Sequence, residues 1–140
     1  AMACTVNTSQ LTFPIGDIPA SAFGNVVGTT PAGAQNTQNL GLTCAAGTNI
    51  TVSLSGIQNP DSANTSVMAL TGQGNAGTAK GVGVQLIYNG APLVMNSRLF
   101  LRQSAGGQET LPLTARYYQT LNRVESGSAN ASATLNLTYQ

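Results

Sequence analysis

Apolar and polar residues alternate most cleanly at the end of the chain. Ala131, Ala133, Leu135, Leu137 and Tyr139 share one side, while Ser132, Thr134, Asn136, Thr138 and Gln140 share the other. A period of two is that of a β-strand with one face buried and one wet. The same period recurs upstream. Ile50, Val52 and Leu54 alternate with Thr51, Ser53 and Ser55. Val82, Val84 and Leu86 lead up to Tyr88, and Leu111, Leu113, Ala115 and Tyr117 alternate with Pro112, Thr114, Arg116 and Tyr118. Nearer the start, Leu11, Phe13 and Ile15 alternate around Pro14, which has no N–H to donate and so marks an edge or switching strand within 5–15. Leu40 and Leu42 run with the same period into Cys44. Shorter apolar runs at 67–70 and 99–101 predict two further short strands.

Turn residues separate these runs. Asn89-Gly90 is the sharpest signal, because both central positions of a type I′ hairpin turn need positive φ; the return strand is expected over 91–95. Ala45-Ala46-Gly47, Asn59-Pro60-Asp61, the glycine-rich 72–81 and Gly106-Gly107 mark other turns, and a polar hinge occupies 119–130. The stretch 16–39 predicts an irregular connection, anchored to the core by Ile18, Phe23, Val26 and Val27. Apolar residues seldom recur at helical spacing, so no helix longer than a turn or two is expected. Roughly seven or eight short strands with polar turns predict an all-β sandwich of the immunoglobulin-like kind.

The final strand, 131–140, raises a question of partners. A strand packed into a core needs hydrogen-bonding neighbours on both sides, or it is left as an exposed edge. The sequence ends on this one, so the expectation is a domain that receives a strand from another chain.

Composition narrows the function classes. With four acidic and five basic residues, a net charge of +1 and no basic cluster, the chain lacks the electrostatic footprint of a nucleic-acid binder. The absence of histidine removes the usual general base, metal ligand and partner for a nucleophilic serine or cysteine. The four carboxylates (Asp17, Asp61, Glu109, Glu125) form no metal-ligand motif, so no enzyme activity and no cofactor are expected. No apolar run approaches the length of a bilayer-spanning helix. At 140 residues the chain is expected to form one domain with a real core. Ala1-Met2-Ala3 has the small-x-small pattern of a signal-cleavage junction and equally fits a cloning remnant, so the domain is taken as 4–140.

Cys4 and Cys44 are the only cysteines. In a charge-poor, β-patterned chain they point to an oxidising compartment and one disulfide, with two buried free thiols as the alternative. A bridge here closes a loop of about 40 residues, for which the chain-entropy model gives roughly 4 kcal/mol.

Taken together, these pieces resemble the pilin domain of chaperone–usher fimbriae, the family of type 1 pilus subunits and tip adhesins. The resemblance rests on Cys4 and Cys44 at the family's spacing, on Gly81-Val82-Gly83-Val84-Gln85-Leu86 followed by Asn89-Gly90, and on 113–120. Most specific is the C-terminal signature, with Tyr139 penultimate, Gly127 fourteenth from the end, and alternating apolar residues between. The resemblance spans essentially 4–140. It implies an incomplete immunoglobulin-like sandwich lacking the seventh strand, with a groove flanked by its first and last strands. A periplasmic chaperone fills such a groove in transit, and a neighbouring fimbrial subunit fills it permanently after assembly at the outer-membrane usher. The implied groove residues are Leu11, Phe13, Gly127, Ala131, Ala133, Leu135, Leu137 and Tyr139, with Gln140 supplying the carboxylate that a chaperone anchors. The implied location is the periplasm in transit, then the extracellular fimbrium.

Family members inside a fibre carry an N-terminal extension of the order of 10–20 residues ahead of the first cysteine, which is the donated strand. Only Ala1-Met2-Ala3 precede Cys4 here. The expectation is therefore either a subunit with its extension removed or the C-terminal pilin domain of a tip adhesin. The rival reading is a stand-alone carbohydrate-binding sandwich, in which Tyr118, on the outer face beside an inward Tyr117, serves as a stacking surface.

Overall fold

The computed structural model describes residues 2–7, 13, 15 and 19–140. Among these, eight strands are formed: β1 (Cys4–Val6), β2 (Gln35–Cys44), β3 (Asn49–Ser55), β4 (Val82–Tyr88), β5 (Ala91–Pro92), β6 (Arg98–Gln103), β7 (Gly107–Gln119) and β8 (Thr134–Tyr139). They pair into two sheets, one in the order β1-β2-β7-β4-β5 and the other β6-β3-β8. Every strand pairing is antiparallel. The inward sides of β2, β3, β4 and β7 meet in one core, in which Leu42, Ile50 and Leu111 are at most 1% exposed. The expected all-β sandwich is the observed architecture.

The predicted disulfide is present between Cys4 and Cys44. The two residues face each other across the β1–β2 ladder, so the bridge staples the three-residue edge strand to its neighbour. The Asn89-Gly90 turn also has the expected geometry, with φ of 51° and 79°.

Several elements differ from the sequence expectation, each for a physical reason. β2 begins at Gln35, inside the stretch expected to be irregular, because the 13-residue β7 offers it a continuous ladder from Gln35↔Arg116 to Cys44↔Gly107. Phe23 is an anchor at 5% exposure, but Val26 and Val27 are exposed and anchor nothing; Ile18 lies outside the described residues. The return strand after Asn89-Gly90 is only Ala91–Pro92, since Pro92 cannot donate to the ladder. Met95 and Asn96 then cross to the other sheet, where the Asn96 N–H donates to the Leu54 carbonyl at 2.8 Å. Residues 67–70 form no strand; Met68 bridges both Gln58 and Val84. Of the 5–15 strand only β1 is seen, and most of 8–18 lies outside the described residues.

β4 was expected to show one wet face, yet residues 82–87 are all buried. Segment 57–70 lies over its second face. It comes so close that a Cβ on Gly83 would stand 2.5 Å from Val67 and 2.8 Å from the Met68 carbonyl. Gln85, buried on that side, donates to the Ser66 hydroxyl at 2.8 Å and accepts from Arg116 Nε at 2.9 Å. Asn59, 1% exposed, is hydrogen-bonded to Gln73 in both directions, at 3.0 and 3.1 Å. The covering segment is thus held by satisfied polar groups, as a buried amide requires.

Candidate functional site

β8 pairs with β3 along its whole length, setting Leu135 opposite Leu54, Leu137 opposite Val52, and Tyr139 opposite Ile50. Ladder bonds continue one residue further: Gln140 and Asn49 exchange both N–H···O=C bonds, at 3.2 and 2.7 Å. The alternation read from the sequence appears directly in the exposures. Thr134, Asn136 and Thr138 are exposed, whereas Leu135, Leu137 and Tyr139 are half-buried. β8 is the outer strand of its sheet, and among the described residues no strand pairs with its far edge.

Among the described residues no strand closes the sandwich between that edge and β1, the outer strand of the facing sheet. An elongated groove of about 1540 Å³ runs there. Leu135, Leu137 and Tyr139 line one wall, Phe13 and Ile15 contribute to the lining as half-buried residues, and Val84, Leu86 and Leu113 are among those below. Its volume exceeds the roughly 300–1,000 Å³ of small-molecule sites. Six residues of β8 at about 3.4 Å each span roughly 20 Å, the reach of a single strand. Among the described lining residues only Glu125 is charged. Desolvation on this wall raises the Tyr139 phenol above its ordinary pKa.

The residues named from the sequence fall as follows. Phe13 packs against the core and lines the groove; Leu11 lies outside the described residues. Ala131 is half-buried and Ala133 exposed; both line the groove, although β8 begins only at Thr134. Gln140 is exposed. Gly127 lines the groove too, but a separate constraint demands glycine there. A Cβ would stand 2.5 Å from the Ala79 nitrogen and 2.6 Å from the Thr78 carbonyl carbon. That approach is fixed by the Ser128 N–H on the Gly77 carbonyl at 2.8 Å and the Ala79 N–H on the Ser128 carbonyl at 2.9 Å. Cys4 and Cys44 hold β1, whose Val6 lines the groove.

Apart from Gly127, sequence reasoning did not assign residues to the far end of the groove, which Pro19, Ala20, Phe23 and the segment 124–130 enclose; Phe23 was expected only as a core anchor. Tyr117 ties that segment down, its hydroxyl donating to the Ala129 carbonyl at 2.9 Å, and its ring sits 6.4 Å from that of Phe23. The inward placement of Tyr117 was the available signal, since a buried tyrosine hydroxyl seeks a partner. Among the described residues no group of His, Cys, Asp or Glu is arranged to hold a metal ion. What the groove offers is apolar side-chain pockets beside a strand edge.

Comparison with known proteins fits this geometry. A family model described as "Fimbrial protein" matches residues 1–140. A Klebsiella pneumoniae fimbria adhesin protein is 32% identical over 98% of this chain and 45% of its own length. The chain spans about half the length of the first curated relatives it matches. Among solved structures, a Burkholderia pseudomallei type I fimbria protein is 26% identical with a TM-score of 0.71, covering 99% of this chain and 94% of that one. The P pilus rod subunit PapA, at 19% identity, shares the fold with a TM-score of 0.77 over 98% of this chain and 99% of its own.

Proposed function

The chain belongs to the fimbrial protein family, a family of non-enzymatic structural subunits, and we propose that it is a strand acceptor in a chaperone–usher fimbria. In this reading the sandwich lacks its seventh strand, and the groove beside β8 receives one from another chain. The observation that carries the proposal is the pairing of β8 with β3: the same alternation gives full burial on β3 and half burial on β8. Main-chain groups of the β8 edge bond the incoming strand, and the apolar groove selects alternate side chains, the usual division of labour in β-augmentation.

A periplasmic chaperone is the first donor, with the Gln140 carboxylate as its anchor, and a neighbouring subunit is the second, after passage through the outer-membrane usher. Leu135, Leu137 and Tyr139 receive the donor side chains, with Phe13, Ala131 and Ala133 along the rims and Gly127 at the end; Leu11, outside the described residues, is assigned a part by the family resemblance alone. The domain occupies 4–140, passes through the periplasm and resides on the extracellular fimbrium. It acts either as the assembly domain of a tip adhesin or as a fibre subunit.

The test is a synthetic peptide with valine and leucine at alternate positions, compared with a scrambled peptide of the same composition. Each large side chain buried contributes about 1.5–3 kcal/mol. Binding only to the folded state raises Tm by mass action. A clear rise with the alternating peptide alone is the expected result. An equal response to both peptides, or none to either, counts against the proposal.

A further inference from the structure

The loop that encloses the far end of the groove carries apolar side chains on its outer side as well. Pro19, Ala20 and Phe23 line the groove, while Val26 is 65% exposed and Val27 54%. Leu121, 40% exposed, has its backbone tied through Gln119 to Gly24 in the turn that carries Val26 and Val27. That glutamine is fully buried, and its Nε2 donates to the Gly24 carbonyl at 3.0 Å and the Leu121 carbonyl at 2.8 Å. The Gly28 N–H donates to the Gln119 carbonyl, and the Gln119 N–H to the Thr29 carbonyl, both at 2.9 Å. Thr29 closes the turn, its hydroxyl and its N–H both donating to the Val26 carbonyl, at 2.6 and 3.2 Å. Burying an amide side chain is costly unless it is bonded, and here it locks two turns together. Apolar side chains held outward on such a support have the character of a contact surface.

The position of this patch relative to the groove decides its partner. Gln119 pairs with Val82, and neighbouring Tyr117 bonds the Ala129 carbonyl, so the patch stands at the end where β8 begins. A strand added to the edge of β8 that no described strand occupies bonds better antiparallel than parallel. Running that way, it leaves the groove at Thr134. A donated segment that precedes its own domain therefore delivers that domain to this end.

We infer that Val26, Val27 and Leu121 form the landing surface for the folded body of the strand-donating neighbour, a second pilin-type domain. The inference rests on the strand-acceptor reading above. The strand supplies the main hold. The patch, far smaller than a free-standing interface, fixes the angle between the two bodies and slows their separation.

Two probes separate these roles: the alternating peptide alone, and the same peptide fused ahead of Cys4 in a second copy of this chain. They are compared on the native sequence and on the triple variant Val26→Ser, Val27→Ser, Leu121→Ser. Release of the peptide alone should stay within about twofold. Release of the fused copy should quicken about tenfold, equivalent to about 1.4 kcal/mol, with a broader spread of two-body shapes in small-angle scattering. Unchanged release and scattering for the fused copy overturn the inference. So does a triple variant that fails to fold, because side chains this exposed would then be serving the core. If the native chain takes up neither probe, the groove reading itself falls, and the inference with it.

Discussion

β3 and β8 are neighbours in one sheet, with matched registers and the same apolar–polar period, yet they end in different environments. Ile50, Val52 and Leu54 of β3 are at most 2% exposed. Their cross-strand partners Tyr139, Leu137 and Leu135 are only half-buried. Local pattern is equal in the two strands, so it cannot be the cause. The difference is position: among the described residues β3 lies between β6 and β8, while β8 has one strand neighbour and a groove beyond it. Periodicity announces which side of a strand is meant to be covered, and the tertiary structure decides whether this chain covers it. On β8 the covering is left to another chain, on the proposal made here.

The comparison can be broken most forcefully by truncating the facing pair Leu54 and Leu135. Leu54→Ala should cost about 2–5 kcal/mol, the range for a fully buried leucine. Leu135→Ala should cost well under half of that in the free domain, and approach it only when the alternating peptide is bound. Chemical denaturation with and without peptide checks both. Equal costs in the free domain would mean that β8 is already part of the core.

The groove's opposite rim gives the next prediction. β1 is a three-residue edge strand stapled to β2 by Cys4–Cys44. Replacing both cysteines with serine should cost about 2–5 kcal/mol and lower peptide affinity together with stability. Denaturation and peptide titration on the double variant measure both. Intact affinity in a destabilised variant would show that β8 alone makes the site.

Gly127 sharpens the distinction between a residue that lines the groove and one that serves it. Gly127→Ala forces a Cβ against the backbone of 78–79 and should cost about 1–3 kcal/mol by overpacking, with or without peptide. A variant that loses peptide binding at unchanged stability would give this glycine a direct role in strand uptake.

The smallest effect concerns pH. Burial raises the folded-state pKa of Tyr139, so the folded state favours the neutral phenol. The stability linked to this group is complete below the unfolded value of about 10 and is lost as pH rises through the higher folded value. Tyr139→Phe should remove that part of the alkaline loss. Peptide binding, by covering the ring, should push the phenol further upward, as ultraviolet titration of phenolate would report.

How much of this was legible beforehand varies with the source of the order. The register of β8 and the inward side of β3 follow from strict alternation, and the Asn89-Gly90 turn from the positive φ that both of its residues adopt. The first half of β2 was not legible, because Gln35-Asn36-Thr37-Gln38-Asn39 has no apolar period and is a strand only because β7 pairs with it. The second buried face of β4 depends on Gly83 admitting a distant segment, which no local pattern announces. Val26 and Val27 misled because local sequence does not distinguish an apolar side chain that anchors the core from one held outward on a turn. Within the groove, the residues on β8 were readable from their period. Those at the far end, Pro19 and Ala20, sit at a single 3-10 turn that has no apolar period and were not, and Phe23 was readable only as a core anchor.

Amide hydrogen exchange on β3 and β8, in the free domain and with the alternating peptide bound, tests the central claim most directly. Exchange reports local opening free energy strand by strand. The account predicts that in the free domain β8 amides exchange much faster than those of β3, and that peptide binding slows β8 until the two strands match, with β3 changing far less. Equal protection of both strands in the free domain, or a bound peptide that leaves β8 exchange untouched, would contradict it.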